Sequence, residues 1–92
     1  MAVTVNVTSV IQKVVNGQRA FASEGGTLGA LIENIERDYP GFAGQIMDDG
    51  GEIRRFVNVY LNDGDVRYLG GKTTPLKDGD TVSFLPALAG GL

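Results

Sequence analysis

The residues whose types and spacing could do chemistry lie at the carboxyl end of the chain, where Gly90 and Gly91 precede a final Leu92. Only glycine lets another surface close on the backbone from all sides, so a Gly-Gly pair can enter a channel that would exclude a side chain. A C-terminal glycine carboxylate is also poorly shielded against attack. Leu92 lies beyond the glycines and masks that carboxylate. The alternative is a frayed terminus, which most domains have.

The segment that must position this tail is a predicted strand. Val82 and Phe84 alternate with polar residues, which puts both side chains on one face. Pro86 has no amide hydrogen, so sheet pairing should weaken or stop there. The next residues are mostly alanine and glycine and have little side chain to bury. We therefore predict a folded domain over residues 1–86 and a flexible tail over residues 87–92.

The composition argues against a self-sufficient enzyme. A chain of 92 residues is expected to form one domain with one modest core. It contains no cysteine and no histidine, so it lacks thiol nucleophiles, the commonest general base and the commonest metal ligand. We predict a binding or carrier protein without a catalytic residue.

The charge balance bears on partners and location. The net charge is −3, which makes nucleic acids and anionic membranes poor partners and favours a basic partner surface. The longest apolar run is too short to span a bilayer. The first residues alternate like a strand and lack the charged start of a signal peptide, so a cytoplasmic location is expected.

Two aspartate pairs invite a metal interpretation, Asp63 with Asp65 and Asp78 with Asp80. The glycine and the distal glutamate of an EF-hand loop are absent at the required spacing. Asp-Gly-Asp at a strand boundary is typical of a turn, so we predict no metal site. Gly71-Lys72-Thr73 resembles the end of a phosphate-binding loop, but the glycine required five positions earlier is missing.

The first part of the chain predicts two strands. The valines of residues 3–7 alternate with polar residues, as in a half-buried strand. Asn16 and Gly17 form the dipeptide most typical of a tight hairpin. The returning strand is predicted over residues 19–23.

One long amphipathic helix follows, with Thr27 as its predicted N-cap. Pro40 and Gly41 should end it. Because it is the only such helix, it should cover the apolar face of the sheet. The stripe that faces the core is predicted to be Leu28, Leu31, Ile32, Ile35 and Tyr39.

The second half is predicted to be richer in strands. Residues 42–53 look irregular or weakly helical, residues 55–61 give the strongest strand signal, and residues 66–69 follow a turn as a short strand. The order β-β-α-β-(β)-β defines an α+β domain in which a mixed sheet wraps on one helix. We predict the β-grasp (ubiquitin-like) fold, with the first and last strands parallel and central.

The alternation of residues 55–61 also predicts a docking surface. If Val57 and Val59 face the helix, Phe56 and Tyr60 must stand on the open face of the sheet. Leu85 should join them, because Val82 and Phe84 face inward. The alternative is that these are isolated surface apolar side chains, which are common.

The motifs together resemble the ubiquitin-like sulfur carriers MoaD and ThiS over nearly the whole chain. Within that family the likeness is greatest to the actinobacterial carriers of cysteine biosynthesis. The segments that carry the resemblance are residues 55–63, residues 65–67, Leu76-Lys77-Asp78-Gly79-Asp80 and Leu85-Pro86-Ala87-Leu88-Ala89-Gly90-Gly91.

The resemblance implies a reaction at the tail in which the carrier needs neither a catalytic side chain nor a cofactor. An ATP-dependent, E1-like activating enzyme adenylates the carboxylate of Gly91, and sulfide or a persulfide displaces AMP to leave a thiocarboxylate. Gly90, Ala89 and Leu88 give that carboxylate access, and Leu92 must first be removed. A cysteine synthase then accepts the sulfur, and a zinc metalloprotease of the JAMM type releases the cysteine.

Three alternatives stay open at this point. The same carrier chemistry could serve molybdopterin, thiamine or a thio-containing natural product. The chain could instead be a protein modifier that forms isopeptide bonds with lysines. It could also be an inert interaction module whose tail is merely frayed.

Overall fold

The structure is a computed structural model that describes residues 2–55 and 57–86. The predicted tail over residues 87–92 and the predicted docking residue Phe56 lie outside the described residues. The elements, in chain order, are β1 (Ala2–Val7), α1 (Ser9–Gln12), β2 (Ala20–Glu24), α2 (Leu28–Asp38), α3 (Phe42–Ile46), β3 (Val57–Leu61), β4 (Gly64–Asp65) and β5 (Thr81–Pro86). Short 3-10 turns lie at Lys13–Val15, Val66–Tyr68 and Gly71–Thr73.

The five strands form one mixed sheet in the order β2-β1-β5-β3-β4. The first and last strands are parallel neighbours in its centre, with Thr4 opposite Thr81 and Val7 opposite Phe84. The other neighbouring strands are antiparallel. This is the topology predicted from the order of elements.

The core lies between one face of this sheet and α2, as predicted. Thr27 caps α2, because its side-chain oxygen accepts a hydrogen bond from the Ala30 N–H at 3.2 Å. Tyr39 is only half-buried and stacks at a tilt on Phe21, with ring centroids 5.3 Å apart. The buried side chains of the predicted stripe and strands include Leu28, Leu31, Ile32, Ile35, Val3, Val5, Val7, Val57, Val59, Val82 and Phe84.

The prediction of a tight hairpin between β1 and β2 is wrong, although the two strands do pair. The connection contains α1 and a 3-10 turn, so that Ile11 and Val15 become buried. These residues are four positions apart and fall on one side of a helical turn, where they extend the core. Asn16 and Gly17, with φ of 59° and 76°, end the 3-10 turn rather than forming a two-residue hairpin.

The prediction of a short strand over residues 66–69 is also wrong. The fourth strand is confined to Gly64–Asp65, and Val66–Tyr68 is a 3-10 turn. The Asp65 carboxylate accepts a hydrogen bond from the Arg67 N–H at 2.9 Å, and the Val66 carbonyl oxygen accepts one from the Leu69 N–H at 3.0 Å. These bonds close the turn over a buried Val66, and an extended segment could not form them.

Two boundaries in the middle of the chain differ from the sequence prediction. Phe42–Ile46 is a short helix in the segment predicted to be irregular or weakly helical, and both of its end residues are buried. The strand predicted over residues 55–61 begins at Val57. The Val57 N–H donates a hydrogen bond to the Arg54 carbonyl oxygen at 3.0 Å, so the chain turns just before β3.

Candidate functional site: the root of the carboxyl-terminal tail

The tail follows directly from the central strand β5. The antiparallel pairing of β5 with β3 has Val59 opposite Phe84 and ends with Val57 opposite Pro86. Proline cannot donate to the ladder, so this pair is a natural end of the sheet. The last described residue therefore lies at the end of a central strand of the sheet.

The pair of Val57 and Pro86 is called the root of the tail, and the open face of the sheet carries its apolar side chains near it. Asn58 faces Leu85 and Tyr60 faces Ser83 across β3 and β5, so all four side chains share the face opposite the core. Tyr60 and Leu85 are diagonal neighbours on that face, and both are half-buried. Their role in docking remains a prediction.

The rest of the open face is polar or small in its central part. The register places small or polar residues on it, namely Thr4, Asn6, Ala20, Ala22, Thr81 and Ser83. Apolar surface on this side of the described sheet is thus concentrated where Tyr60 and Leu85 meet. A partner that docks there would lie beside the point at which the tail begins.

A single arginine covers the outer edge of β3 beside the root. The Arg67 guanidinium donates hydrogen bonds to the carbonyl oxygens of Val57, at 2.7 Å, and Arg55, at 3.4 Å. Sequence reasoning missed this residue because it placed Arg67 in a strand. The only hint in the sequence is that an arginine follows Asp65 by two residues. The structure shows that the Asp65 carboxylate caps the turn that carries Arg67.

Tyr68 and Leu69 form a second feature that the sequence did not reveal. Their side chains are 87% and 50% exposed, and they are the large apolar residues most exposed among those the structure describes. In the predicted short strand one of the two would have faced the core. The 3-10 turn instead leaves both outside, because it buries only Val66.

Three of the four aspartates that invited a metal interpretation, Asp65, Asp78 and Asp80, accept hydrogen bonds from backbone N–H groups. Asp80 accepts hydrogen bonds from the Lys77 N–H at 2.8 Å and from the side-chain amide of Asn62 at 3.3 Å. Asp78 accepts one from the Ala2 N–H at 2.8 Å. Over residues 2–55 and 57–86, no group of three or more possible ligands could hold a metal ion.

One carboxyl group has a displaced pKa. Glu36, in the last turns of α2, accepts hydrogen bonds from the Ala43 N–H at 2.8 Å and from the Gly41 N–H at 3.1 Å. These bonds hold the pKa of Glu36 below its ordinary value of 4.5, with the Ala43 bond contributing most. The carboxylate joins α2 to the start of α3 and is a structural cap.

Comparisons with known proteins agree with this fold. Mycobacterium tuberculosis CysO, a sulfur carrier protein, is 44% identical over 93 aligned positions, which cover 99% of this chain and 100% of that protein. Its crystal structure superposes with a TM-score of 0.89 at 42% identity over 92% of this chain and 98% of that chain. Small archaeal modifier protein 3 of Haloferax volcanii is 43% identical over 71% of this chain and 70% of its own length.

A further crystal structure contains a partner. The Amycolatopsis orientalis BexX/CysO complex matches with a TM-score of 0.88 at 34% identity, over 92% of this chain and 94% of that chain. It shows that a CysO of that organism associates with another protein.

A separate observation concerns membranes. Among the described residues, every helix is too short or too polar to span a bilayer.

Fold and comparisons together define the class of protein. A mixed five-stranded sheet with one main helix, matched by these structures, is a β-grasp domain of the ubiquitin-like type. The ThiS family matches residues 5–91, nearly the whole chain, and the chain belongs to that family. It is accordingly a small sulfur carrier and not a catalyst.

Proposed function

We propose that the sulfur is carried on the carboxylate of Gly91 and that its destination is cysteine biosynthesis. The observation that carries the first part is the exit of the tail from a central strand, with Val57 opposite Pro86 as the last pair. The second part is supported by the 44% identity to CysO over nearly the full chain. Neither the charging of Gly91 nor the transfer of its sulfur requires a reactive side chain on the carrier.

The chemistry divides between the carrier and an activating enzyme. A carboxylate oxygen of Gly91 attacks the α-phosphorus of ATP, and pyrophosphate leaves. Sulfide or an enzyme persulfide then attacks the acyl carbon, and AMP leaves with the bonding electron pair. If a persulfide is the donor, a reductant must cleave its S–S bond to release the thiocarboxylate.

The carrier supplies reach and access. Residues 87–91, when extended, span about 17 Å at ~3.3–3.6 Å per residue. Gly90 and Gly91 have no side chains, and Leu88 and Ala89 continue the tail toward Pro86. This length would allow the carboxylate to enter a recessed site while Tyr60, Leu85 and Phe56 contact the outer surface of the enzyme.

In this proposal, a chain that ends at Leu92 is a precursor. With Leu92 in place, the terminal carboxylate lies one residue further on and beside a branched side chain. A channel fitted to glycine excludes that side chain, so a peptidase must remove Leu92 before adenylation. A zinc metalloprotease of the JAMM type is the proposed agent, and the same class of enzyme would release the finished cysteine.

Intact-mass measurement tests the charging step. Chains ending at Gly91 and at Leu92 are each incubated with the activating enzyme, ATP and sulfide. The shorter chain is expected to gain the mass increment for replacement of one oxygen by sulfur, and the longer chain is not. Efficient thiocarboxylate formation on a chain that still carries Leu92 would contradict the precursor proposal.

The acceptor is tested separately. A cysteine synthase that forms an aminoacrylate from O-phosphoserine should consume the thiocarboxylate, because the sulfur attacks the aminoacrylate and the acyl group then shifts from sulfur to nitrogen. A molybdopterin or thiamine acceptor serves as the comparison. Consumption by either of those, and not by the cysteine synthase, would redirect the pathway while leaving the carrier chemistry intact.

The similarity to small archaeal modifier protein 3 favours a second candidate, attachment to lysine side chains of other proteins. In that case the activated Gly91 carboxylate would be attacked by an amine rather than by sulfur. Blotting of cell lysates for a tagged carrier would then show higher-mass conjugates. Sulfur transfer alone predicts almost none.

A further inference from the structure

The edge of the sheet beside the tail root is completed by a side chain instead of a strand. In β4, Gly64 pairs with Leu61 and Asp65 with Tyr60, and its pairing ends there. The Asn62 N–H donates to the Thr81 carbonyl oxygen, at the end of β3 next to β5. Successive residues of a strand point their backbone groups to opposite sides, so Val57, an odd number of positions from Asn62, directs its carbonyl away from β5. Within the described ranges, no strand meets this outer edge at Val57, and the Arg67 guanidinium occupies it instead.

The backbone of Arg67 is fixed by hydrogen bonds within its turn. Its N–H donates to the Asp65 carboxylate at 2.9 Å, and the N–H groups of Leu69 and Gly70 both donate to the Val66 carbonyl oxygen, at 3.0 and 3.1 Å. Val66 is buried in the core. The guanidinium therefore extends from a fixed turn. Because the guanidinium is planar, less side-chain freedom is lost for each hydrogen bond that it forms.

Val57 connects this arginine to the tail. On one side its carbonyl oxygen accepts from Arg67 at 2.7 Å, and on the other side Val57 faces Pro86 in the last pair of the ladder. The second acceptor is the Arg55 carbonyl oxygen, so Arg67 holds the backbone on both sides of position 56. One side chain thus fixes the start of β3 where the tail root and the predicted docking surface meet.

We infer that Arg67 is a positioning residue for charging of the tail, an inference that rests on the function proposed above. By holding the start of β3, it keeps the pair of Val57 and Pro86 closed and sets where the tail leaves the open face. Without it, the last pair frays and the tail gains freedom that the activating enzyme must remove on binding. Preorganisation of this kind acts on binding and not on the chemical step.

Steady-state kinetics of thiocarboxylate formation test the inference, with the chain ending at Gly91 as the substrate of the activating enzyme. Arg67→Met keeps an unbranched side chain but removes its charge and its donors. We expect its KM to rise about five- to tenfold, as for loss of a charge-assisted hydrogen bond, while kcat stays within about twofold. Arg67→Lys keeps the charge and N–H donors but lacks the planar guanidinium, so it should be intermediate.

A matched control separates positioning from general stability. Thr27→Ala removes the side-chain cap of α2 and so destabilises the fold through another element. It should lower the melting temperature yet leave KM unchanged. A wild-type KM for Arg67→Met, or an equal rise in KM for Thr27→Ala, would overturn the inference.

Amide hydrogen exchange provides a readout that does not depend on the proposed function. Asn58 and Leu85 face each other one pair inside Val57 and Pro86, whereas Val5 lies on the central strand β1. Arg67→Met should accelerate exchange at Asn58 and Leu85 about tenfold relative to Val5. Equal acceleration at all three amides, or none, would contradict the positioning role.

The two experiments fail in different ways. If the wild-type chain is never charged by the activating enzyme, the proposed function is wrong, and the exchange rates still decide whether Arg67 holds the root. If the wild-type chain is charged and Arg67→Met is charged with the same KM, only the role of Arg67 is wrong.

Discussion

The ring of Phe42 meets the ring of Phe84 edge to face, with centroids 5.1 Å apart and planes at 88°. Both side chains are buried, and the contact packs the short helix α3 against the strand that precedes the tail. Edge-to-face packing adds to the area that the two rings bury. The strand that carries the tail is thus held from the helix side by an aromatic pair as well as by its neighbours in the sheet.

Phe42→Ala should therefore lower the free energy of unfolding by about 3–5 kcal/mol. The change leaves a cavity beneath β5 and removes the aromatic contact. Urea denaturation followed by circular dichroism measures the loss. Tyr68→Ala is the matched control, because that ring is 87% exposed and its loss should change the free energy by less than about 0.5 kcal/mol.

The helix stripe supports a second prediction. Leu31 is fully buried against the sheet, so Leu31→Ala should cost roughly 2–5 kcal/mol of a total stability near ~5–15 kcal/mol. Glu33→Ala, on the exposed side of α2, should be close to silent in the same denaturation experiment. A silent Leu31→Ala would contradict this description of the core.

The open face supports a prediction about binding. Leu85→Ala should weaken binding to the activating enzyme by about 1–3 kcal/mol, the range of an interface hot spot, and Phe56→Ala is predicted to act alike. Leu85 does not face the core, so the melting temperature should change little. Titration calorimetry gives the affinity. Val59→Ala, on the opposite face of the same sheet, should instead reduce stability.

Glu36 makes stability depend on pH in a defined direction. Its pKa is lowered in the folded state by the N–H groups of Ala43 and Gly41. The stabilisation is therefore fully present above the ordinary pKa of 4.5 and is lost as the pH falls through the lower, folded-state pKa. Melting curves of wild type and Glu36→Gln should differ most near neutral pH and converge in acid.

A second glutamate on the same helix provides the control for that experiment. Glu33 is exposed, and replacing it with glutamine removes the same charge without a capping interaction. Glu33→Gln should parallel the wild type across the whole pH range. A wild-type melting profile for Glu36→Gln would show that the cap contributes nothing to stability.

Much of the fold could be predicted from the sequence because long periodic patterns decide it. The stripe from Leu28 to Ile35 fits only a helix with one buried face, and the alternation of Val57 and Val59 fits only a strand. Thr27 stands where an N-cap belongs, and its side chain makes the expected bond. These signals repeat over several turns or strand positions, so no single contact can reverse them.

The missed features depend on single contacts. Whether Val66, Tyr68 and Leu69 extend a strand or close a turn depends on a few local bonds. The Asp65 carboxylate accepts from the Arg67 N–H, and the Val66 carbonyl oxygen accepts from the N–H groups that follow it. Asn16 and Gly17 accept positive φ equally well in a hairpin or at the end of a 3-10 turn. The role inferred for Arg67 depends on the fact that β4 is short. Two residues cannot show a periodic pattern, so the sequence does not reveal where this strand ends.

The parallel pairing of β1 with β5 also governs when this protein can fold. The central strand β1 is synthesised before every other strand of the described sheet, and its neighbour β5 is synthesised after all of them. Because this long-range pair occupies the middle of the sheet, the domain cannot be completed until β5 has been synthesised. A chain that ends before β5 lacks the strand between β1 and β3, so we expect the folded population to exclude molecules without the strand that carries the tail.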